Sequence, residues 1–362
     1  MNARVEKIIS LINEANAEAI LITQPANRRY ASNVLSSCGM VLLTAQGERY
    51  FLVDSRYVET AEKNAGPLGY EVIMTMMEYD TYYVAINQLL RKHGIQRLAI
   101  ENLFVSLAEY EGFRDNLQCE LMPLDNKLDM LREVKTVDEV EKLTKAQRIA
   151  EKALWDTLGV FKLGMTERDF ASELIYRIFK YGAETLAFNP LILSGGNASM
   201  PHGRPSDKVI AEGELLLMDF GATYDGYFSD MTRTVAIGHA TDEMYQVYNT
   251  VLAAHYAGIQ ALKPGAIGNE VDAAARRVIE ESGLEGCYGH GLGHSVGLDG
   301  RILLRAKRGS NAVFSQGNTI TVEPGIYLPG KIGCRIEDIL WLSPEGTVSL
   351  AQFPKNELMI IK

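Results

Sequence analysis

Cysteine is scarce in this chain, and the few cysteines lie far apart. The sequence contains four of them, at Cys38, Cys119, Cys287 and Cys334. Because no two of them form a C-x-x-C pair, their spacing indicates neither a zinc ribbon nor a disulfide framework. We therefore expect four reduced thiols.

Long apolar runs and long basic runs are also missing. No window reaches the roughly 18 apolar residues of a membrane span, and the N-terminal segment MNARVEKIISLINEANAEAI interleaves charges where a signal peptide has an apolar core. The 46 acidic residues outnumber the 36 basic ones, which gives a net charge of −10 and no footprint for nucleic acid or anionic membranes. We expect a soluble, cytoplasmic protein that binds neither nucleic acid nor membranes.

A length of 362 residues predicts two domains, since one hydrophobic core rarely organises so long a chain. In the first, residues 1–130, short strand-like runs alternate with helical patterns at 55–65 and 83–94, which is typical of an α/β layer domain. The predicted strands are 19–23, 39–44, 49–54, 70–75 and 97–102. This part contains no cluster of histidines and carboxylates, so we expect it to shape or cover a site.

The second predicted domain, residues 131–362, opens with a long helix. Thr136 and Glu139 form the pattern of a capping box, which predicts a helix of about twenty residues from there. Further helices are predicted after Thr166, where the pattern ends at Gly182, and at 241–262 and 269–282. The strand-rich stretches are 185–195, 214–237 and 318–350. This order of helices and hairpins predicts an α+β domain with a curved antiparallel sheet.

Two aspartates stand on a predicted hairpin within residues 214–238, with its turn at Tyr224-Asp225-Gly226. Pairing of the arms brings Asp219 of the first arm near Asp230 of the second. Like charges placed in this way repel unless a cation binds between them. The plain alternative is that one carboxylate caps the turn and the other is solvated.

Two further stretches contain residue types that can bind a metal ion. In GHGLGHSVGL the glycines are too dense for a helix, so His290 and His294 stand on a loop or strand end where the backbone can approach another group closely. Alternatively, they are ordinary core or surface histidines. Glu323 and Glu337 lie among apolar, strand-like residues, where an unpaired carboxylate is costly to bury. Asp338 points to the opposite face of its strand and is left out.

Together these residues offer four carboxylates and one imidazole. Such hard oxygen ligands with a single histidine suit Mn²⁺, Co²⁺, Fe²⁺ or Zn²⁺, and several bridging carboxylates suit two ions close together. A water molecule shared between two such ions loses a proton near neutral pH. The set therefore predicts a metal-dependent hydrolase of amide bonds.

The motifs MDFG, SDMTRT, GHGLGH, TVEPGIYLPG and RIED resemble those of the pita-bread metallopeptidases, and the chain is most similar to the prolidase and Xaa-Pro aminopeptidase branch. The resemblance covers nearly the whole chain and implies a creatinase/prolidase-like N-terminal domain, a pita-bread catalytic domain, short proline-containing peptides as substrates and a homodimer. It also implies two divalent metal ions, for which Mn²⁺ is the first expectation. Asp219 would hold one ion, Asp230 and Glu337 would bridge both, and His294 and Glu323 would complete the other.

The resemblance also assigns catalytic positions near the substrate to His202, His290 and residue 301. At the last of these the family has a histidine that hydrogen-bonds the substrate, whereas this chain has Arg301. Arginine donates hydrogen bonds but cannot shuttle a proton, and losing one such donor costs on the order of 10² to 10³ in kcat.

Three functions stay open on the sequence. The first is an exopeptidase that cleaves before proline, with turnover lowered by Arg301. The second is a non-catalytic member that binds metal or peptide. The third, hydrolysis of a small amidine as in the creatinase branch, fits less well because that branch lacks the metal carboxylates.

Overall fold

The structure is a computed structural model that describes residues 3–76, 79–299 and 303–362. The chain divides into two compact units, Met1–Arg132 and Glu133–Lys362, which we call unit 1 and unit 2. Among the described residues, no helix combines the length and the apolar character needed to cross a membrane.

Unit 1 contains a six-stranded mixed sheet within its described residues. Its elements are α1 (Ala3–Glu14), β1 (Ala19–Ile22), α2 (Pro25–Ser32), β2 (Met40–Thr44), β3 (Arg49–Val53), α3 (Val58–Asn64), a 3₁₀ helix (Gly66–Leu68), β4 (Glu71–Met74), α4 (Tyr79–His93), β5 (Arg97–Ile100), α5 (Leu107–Asn116), β6 (Glu120–Pro123) and α6 (Lys127–Leu131). The strand order is β4-β3-β2-β1-β5-β6. Strand β2 runs antiparallel to β1 and β3, and the other pairs are parallel.

The five strands predicted for this unit are confirmed, with bounds that differ by at most two residues. The central strands β1 and β2 are buried along their whole length, which explains their continuous apolar sequences AILI and MVLLT. The edge strand β6 was not predicted. It is half-exposed and ends in Pro123, so it lacks both the apolar run and the alternation that identify a strand.

Unit 2 joins helices to a series of short, mostly antiparallel strands. Its elements are α7 (Val137–Leu158), α8 (Glu167–Lys180), β7 (Thr185–Leu186), β8 (Leu191–Ser194), a 3₁₀ helix (Gly195–Ser199), β9 (Leu215–Phe220), β10 (Ala222–Tyr224), β11 (Tyr227–Phe228), β12 (Met231–Ile237), α9 (Asp242–Ala261), α10 (Gly268–Glu281), β13 (Gly293–His294), β14 (Arg305–Ala306), β15 (Thr319–Val322), β16 (Gly325–Leu328), β17 (Ile332–Arg335), β18 (Asp338–Ser343), β19 (Gly346–Ser349) and β20 (Ile360–Ile361).

The first two helices of unit 2 begin where the sequence predicted. Thr136 caps α7: its hydroxyl accepts from the N–H of Glu139, and the Glu139 carboxylate accepts from the N–H of Thr136 at 2.8 Å. Thr166 and Asp169 form the same reciprocal cap on α8. Each cap satisfies backbone N–H groups that a helix start leaves unpaired, which stabilises the helix by roughly 1 kcal/mol. Both predictions are confirmed.

Two long hairpins of unit 2 are each interrupted near the middle. In the first, β9 pairs with β12 and, beyond a gap, β10 pairs with β11. In the second, β15 pairs with β18 and, beyond a gap, β16 pairs with β17. The gaps fall at Gly221, Ser229-Asp230, Glu323-Pro324 and Ile336-Glu337. Such interruptions bend a strand and redirect its side chains.

The gaps correct one detail of the sequence interpretation. Asp230 stands in the second arm of its hairpin as predicted, between β11 and β12, whereas Glu337, predicted inside a strand, stands in a gap where regular pairing stops. Local chemistry explains part of this. A Cβ at Gly221 would lie 2.0 Å from the carbonyl oxygen of Ser229, and Pro324 has no N–H to donate to a ladder.

Helix α9 packs tightly against the strands of the second hairpin. Gly258 permits this approach, since a Cβ there would lie 2.9 Å from Leu292 Cδ2 and 3.0 Å from Val322 Cγ1. The apolar side chains at this contact are fully buried, each worth roughly 1.5–3 kcal/mol relative to exposure. The helix therefore forms a rigid support behind the hairpin.

Candidate metal centre

The first interrupted hairpin carries two aspartates, one on each arm. Asp219 lies in β9 opposite Thr232 of β12, and Asp230 stands in the gap just before β12. The turn at the far end has positive φ at Asp225 (46°) and Gly226 (80°), which is the backbone of a tight hairpin turn. The predicted turn is confirmed, and it fixes the register that aligns the two arms.

The second interrupted hairpin contributes Glu323 and Glu337 from its two facing gaps. The N–H of Glu323 donates to Leu292 O at 2.8 Å, and the N–H of Glu337 donates to Thr232 O at 3.1 Å. Both backbone groups thus bond to neighbouring segments instead of their own hairpin. The Glu337 side chain is held as well, because Thr232 Oγ1 donates to its Oε2 at 2.7 Å.

The glycine-rich segment supplies His294 on strand β13. Gly293 beside it leaves no room for a side chain, since a Cβ there would lie 1.8 Å from Thr321 O. The Nδ1 of His294 lies 3.1 Å from Ser295 O. Because a carbonyl oxygen only accepts hydrogen bonds, we assign the proton of the neutral ring to Nδ1. The lone pair of Nε2 is then directed at the cavity, as a metal ligand requires.

The five residues of the predicted ligand set line one cavity of about 540 Å³. The ligand atoms of Asp230, His294 and Glu337 lie within 4.8 Å of one another. His294 Nε2 is 3.6 Å from Asp230 Oδ2 and 3.6 Å from Glu323 Oε1. Asp219 lines the same cavity, so the structure brings the whole set together.

The electrostatics of this cluster are unfavourable without a cation. Burial, and next to it the carboxylates of Asp219 and Glu323, raise the pKa of Asp230 well above its usual value. Burial also raises the pKa of Glu337 well above its usual value, and Asp230 adds to that rise. The pKa of Glu323 is raised by burial in the same way, although His294 and Arg335 oppose the rise. Crowded carboxylates of this kind are stabilised by a bound cation.

Two observations show that the residues fit divalent metal ions. Asp219 Oδ1 is buried and has no hydrogen-bond partner within the described part of the chain. By contrast, the buried carboxylate Glu101 in unit 1 accepts from the N–H groups of Thr23 at 2.6 Å and Gln24 at 2.8 Å, and from Asn27 Nδ2 at 2.7 Å. A structural carboxylate is thus satisfied by donors, whereas the cluster in unit 2 presents oxygen atoms to a cavity.

Arg335 is a functional residue that the sequence analysis missed. Its Nη2 donates to Asp219 Oδ2 at 2.5 Å, its Nε donates to Thr232 Oγ1 at 3.0 Å, and its Nη1 donates to Tyr327 Oη at 2.8 Å. The sequence did contain a sign of it. Arg335 ends the apolar strand IGCR, and a charged residue is as costly to bury there as Glu337 is two residues later. Arg335 offsets part of the negative charge and holds Asp219 in place.

His290 extends this network along the cavity wall. Its Nδ1 lies 2.9 Å from Gly291 O and its Nε2 lies 2.8 Å from Tyr327 Oη. Burial, reinforced by the charge of Arg335, lowers the pKa of His290 to about 4. The ring is therefore neutral at physiological pH, with Nδ1 donating to the carbonyl and Nε2 accepting from the tyrosine hydroxyl.

Of the remaining predicted positions, His202 lines the cavity on the loop that follows the second 3₁₀ helix. Arg301 lies outside the described residues. The cavity wall also carries two cations that were not predicted, Arg305 and Lys307. Arg305, on β14, is the cross-strand partner of His294, and Lys307 directly follows the end of that strand.

Comparisons with known proteins agree with this architecture. Residues 141–344 match the model of metallopeptidase family M24, and residues 4–134 match that of the creatinase/prolidase N-terminal domain. An Xaa-Pro dipeptidase of Pyrococcus furiosus is 31% identical over 360 residues, which cover 99% of this chain and 100% of the relative.

Solved structures give the same result over the full length. An Xaa-Pro dipeptidase from Bacillus anthracis superposes with a TM-score of 0.92 at 35% identity, covering 99% of each chain. An X-Pro aminopeptidase from Thermotoga maritima has a TM-score of 0.92 at 31% identity, covering 99% of this chain and 100% of that one. The predicted fold, an α/β domain followed by a pita-bread domain, is confirmed.

Proposed function

Given that this chain belongs to metallopeptidase family M24, we propose that it is a metal-dependent exopeptidase that hydrolyses the bond before proline in short peptides. The observation that carries the proposal is the convergence of four carboxylates and one imidazole in one cavity. Asp219, Asp230, His294, Glu323 and Glu337 would hold two divalent ions, for which Mn²⁺ is the first expectation and Co²⁺, Zn²⁺ and Fe²⁺ are alternatives. On the family resemblance we also propose a cytoplasmic homodimer.

Bound divalent ions supply Lewis acidity, which polarises a carbonyl group and makes a water molecule acidic enough to attack near neutral pH. The protein's own residues fix the cavity around the reacting bond. Arg335 and Tyr327 hold Asp219 and His290 in place through the hydrogen bonds described above. His202 has no hydrogen bond to another described residue and is available to orient the peptide.

Arg305 and Lys307 support a substrate with a free carboxylate. Both line the cavity on the face that carries His294, and neither has an acidic partner among the described residues. A short peptide is a zwitterion, so its ammonium group would lie toward the carboxylate cluster and its C-terminal carboxylate toward these two cations. Charge complementarity of this kind discriminates between substrates, which favours dipeptides and tripeptides over long chains.

A hydrolysis assay tests the proposal. The chelated protein is loaded with Mn²⁺, Co²⁺ or Zn²⁺ and given Xaa-Pro, Xaa-Pro-Yaa and C-terminally amidated Xaa-Pro peptides. We expect metal-dependent cleavage of the free acids, and a KM for the amide raised about tenfold, or roughly 1.4 kcal/mol, because the contact with the cations is lost. Cleavage that persists in chelator would contradict a metal-dependent enzyme.

Arg301 favours a second candidate, a member of the family that binds metal and peptide without turnover. The arginine replaces a family histidine that hydrogen-bonds the substrate, and it is permanently charged and cannot shuttle a proton. The same experiment separates the two functions, because a non-catalytic member binds Mn²⁺ and Xaa-Pro peptides in a titration while the peptides stay intact.

A further inference from the structure

His255 is a histidine of α9 that the proposed chemistry does not use. Its side chain is fully buried. Its Nδ1 lies 3.0 Å from Val322 O, and its Nε2 lies 3.5 Å from Asp338 Oδ2. Since a carbonyl oxygen only accepts, Nδ1 is the donor to Val322. The imidazole thus donates one hydrogen bond to the second interrupted hairpin, while its Nε2 has no hydrogen-bond partner among the described residues.

Val322 and Asp338 are cross-strand partners in the ladder of β15 and β18. Val322 directly precedes Glu323, and Asp338 directly follows Glu337. This pair is therefore the last regular rung before the gaps that carry two of the proposed ligands. A group that binds Val322 from the helix therefore limits the movement of the backbone from which Glu323 projects.

Asp338 is itself anchored by cations. Arg233 Nη2 donates to its Oδ1 at 2.8 Å, and Lys355 Nζ donates to its Oδ2 at 2.7 Å. Although burial opposes it, the charge of Arg233 keeps the pKa of Asp338 well below its usual value, so the side chain stays ionised. Arg233 Nη1 also donates to the carbonyl oxygen of Glu337 at 2.7 Å. The rung is thus fixed on the Asp338 side by Arg233 and Lys355 and on the Val322 side by His255.

We propose that His255 is a positioning residue of the metal centre, which fixes the backbone beside Glu323 by donating a hydrogen bond from the helix to Val322 O. The inference rests on the proposed function, since it takes Glu323 as a metal ligand. The inference concerns only the position of this ligand. Residues that hold metal ligands in place typically change metal affinity by 10- to 100-fold when they are replaced.

The test measures Mn²⁺ binding by calorimetric titration of the chelated protein. In His255→Asn the amide nitrogen takes the place of Nδ1 and keeps the contact to Val322, whereas in His255→Gln it takes the place of Nε2 and keeps only the contact to Asp338. We expect His255→Ala and His255→Gln to weaken Mn²⁺ binding at least about tenfold, and His255→Asn to remain within about threefold of the natural protein.

Thr157→Val is the matched control, because it removes a buried hydrogen bond within α7, from Thr157 Oγ1 to Ala153 O at 2.7 Å, away from the residues that hold the rung. It should lower the melting temperature without changing Mn²⁺ affinity. If the natural protein fails to bind Mn²⁺, the proposed function and this inference fall together. If it binds, and His255→Gln binds equally tightly, only the inference is wrong. The comparison of the Asn and Gln variants decides the question even if His255→Ala does not fold.

Discussion

Replacing Glu337 by Gln should make the metal-free protein more stable while it abolishes the response to metal. The substitution keeps the shape of the side chain, and its amide oxygen can still accept the hydrogen bond from Thr232 Oγ1. It removes one negative charge from a group whose ligand atoms lie within 4.8 Å of those of Asp230 and His294. Relief of like-charge repulsion therefore dominates in the absence of a cation.

The size of the effect follows from Coulomb's law. Two unit charges 4.8 Å apart repel by roughly 3–4 kcal/mol at an effective dielectric constant of about 20. Arg335 offsets part of this repulsion, and uptake of a proton by the natural cluster relieves more. We therefore expect a net gain of about 2 kcal/mol near pH 8, which corresponds to roughly 4–8 °C in melting temperature for a unit of this size.

The pH dependence has a defined sign. Burial and the neighbouring carboxylates raise the pKa of Glu337 above its value in the unfolded chain. Between these two values the folded state binds more protons than the unfolded state, so stability of the metal-free protein falls as pH rises. The advantage of the Gln variant is thus largest at alkaline pH and shrinks as the pH falls through the raised pKa of Glu337, where the natural carboxylate takes up a proton.

Thermal melts in chelator and in excess Mn²⁺ measure both the stability of the metal-free protein and its response to metal. A metal present at about 100 times its Kd stabilises the natural protein by about 2.7 kcal/mol, whereas the Gln variant should not respond. Glu357→Gln, at an exposed position, is the control for loss of one carboxylate and should leave both melts unchanged. A Gln variant that melts below the natural protein in chelator near pH 8 would refute the reasoning, because it would show that the carboxylate is held by favourable contacts.

Three further predictions concern single elements of the site. Asp230→Ala should abolish the rise in melting temperature that Mn²⁺ produces, since it removes a carboxylate from the centre of the cluster; a preserved rise would place the metal elsewhere. The double variant Arg305→Met, Lys307→Met should raise KM about tenfold for free Xaa-Pro dipeptides and leave the amidated peptides unchanged, as steady-state assays can show. Replacing residues 300–304 together by a family-like segment should increase turnover at least about tenfold, or roughly 1.4 kcal/mol; vigorous turnover by the natural sequence that the replacement cannot improve would show that Arg301 or His290 already supplies the missing hydrogen bond.

Much of the fold could be predicted because its signals are local. The caps at Thr136 and Thr166 are set by hydrogen bonds between residues three apart, and the turn at Asp225-Gly226 by backbone preferences of those two residues. The residues that the structure gathers around the cavity were recognisable because a carboxylate in an apolar strand is costly unless something pairs with it. Their roles as metal ligands stay predictions.

What could not be predicted depends on contacts between distant segments. The gap at Glu337 exists because its N–H bonds to Thr232, which is 105 residues away, and no local pattern encodes that choice. Arg335 was missed, although the cost of burying an unpaired charge applies to it as much as to Glu337. His255 gives no signal in the sequence, because its hydrogen-bond partner is a backbone oxygen 67 residues away.

The interrupted hairpins also bear on the order in which the molecule assembles. The N–H groups at the two glutamate gaps reach Leu292 and Thr232, so the cluster closes only when three stretches of chain, well separated in sequence, have already met. Contacts that need such large loops form late in folding. A metal ion finds no complete set of ligands before the rate-limiting step. Its binding should therefore slow unfolding and leave the folding rate nearly unchanged, so that the metal increases the kinetic stability of the folded unit.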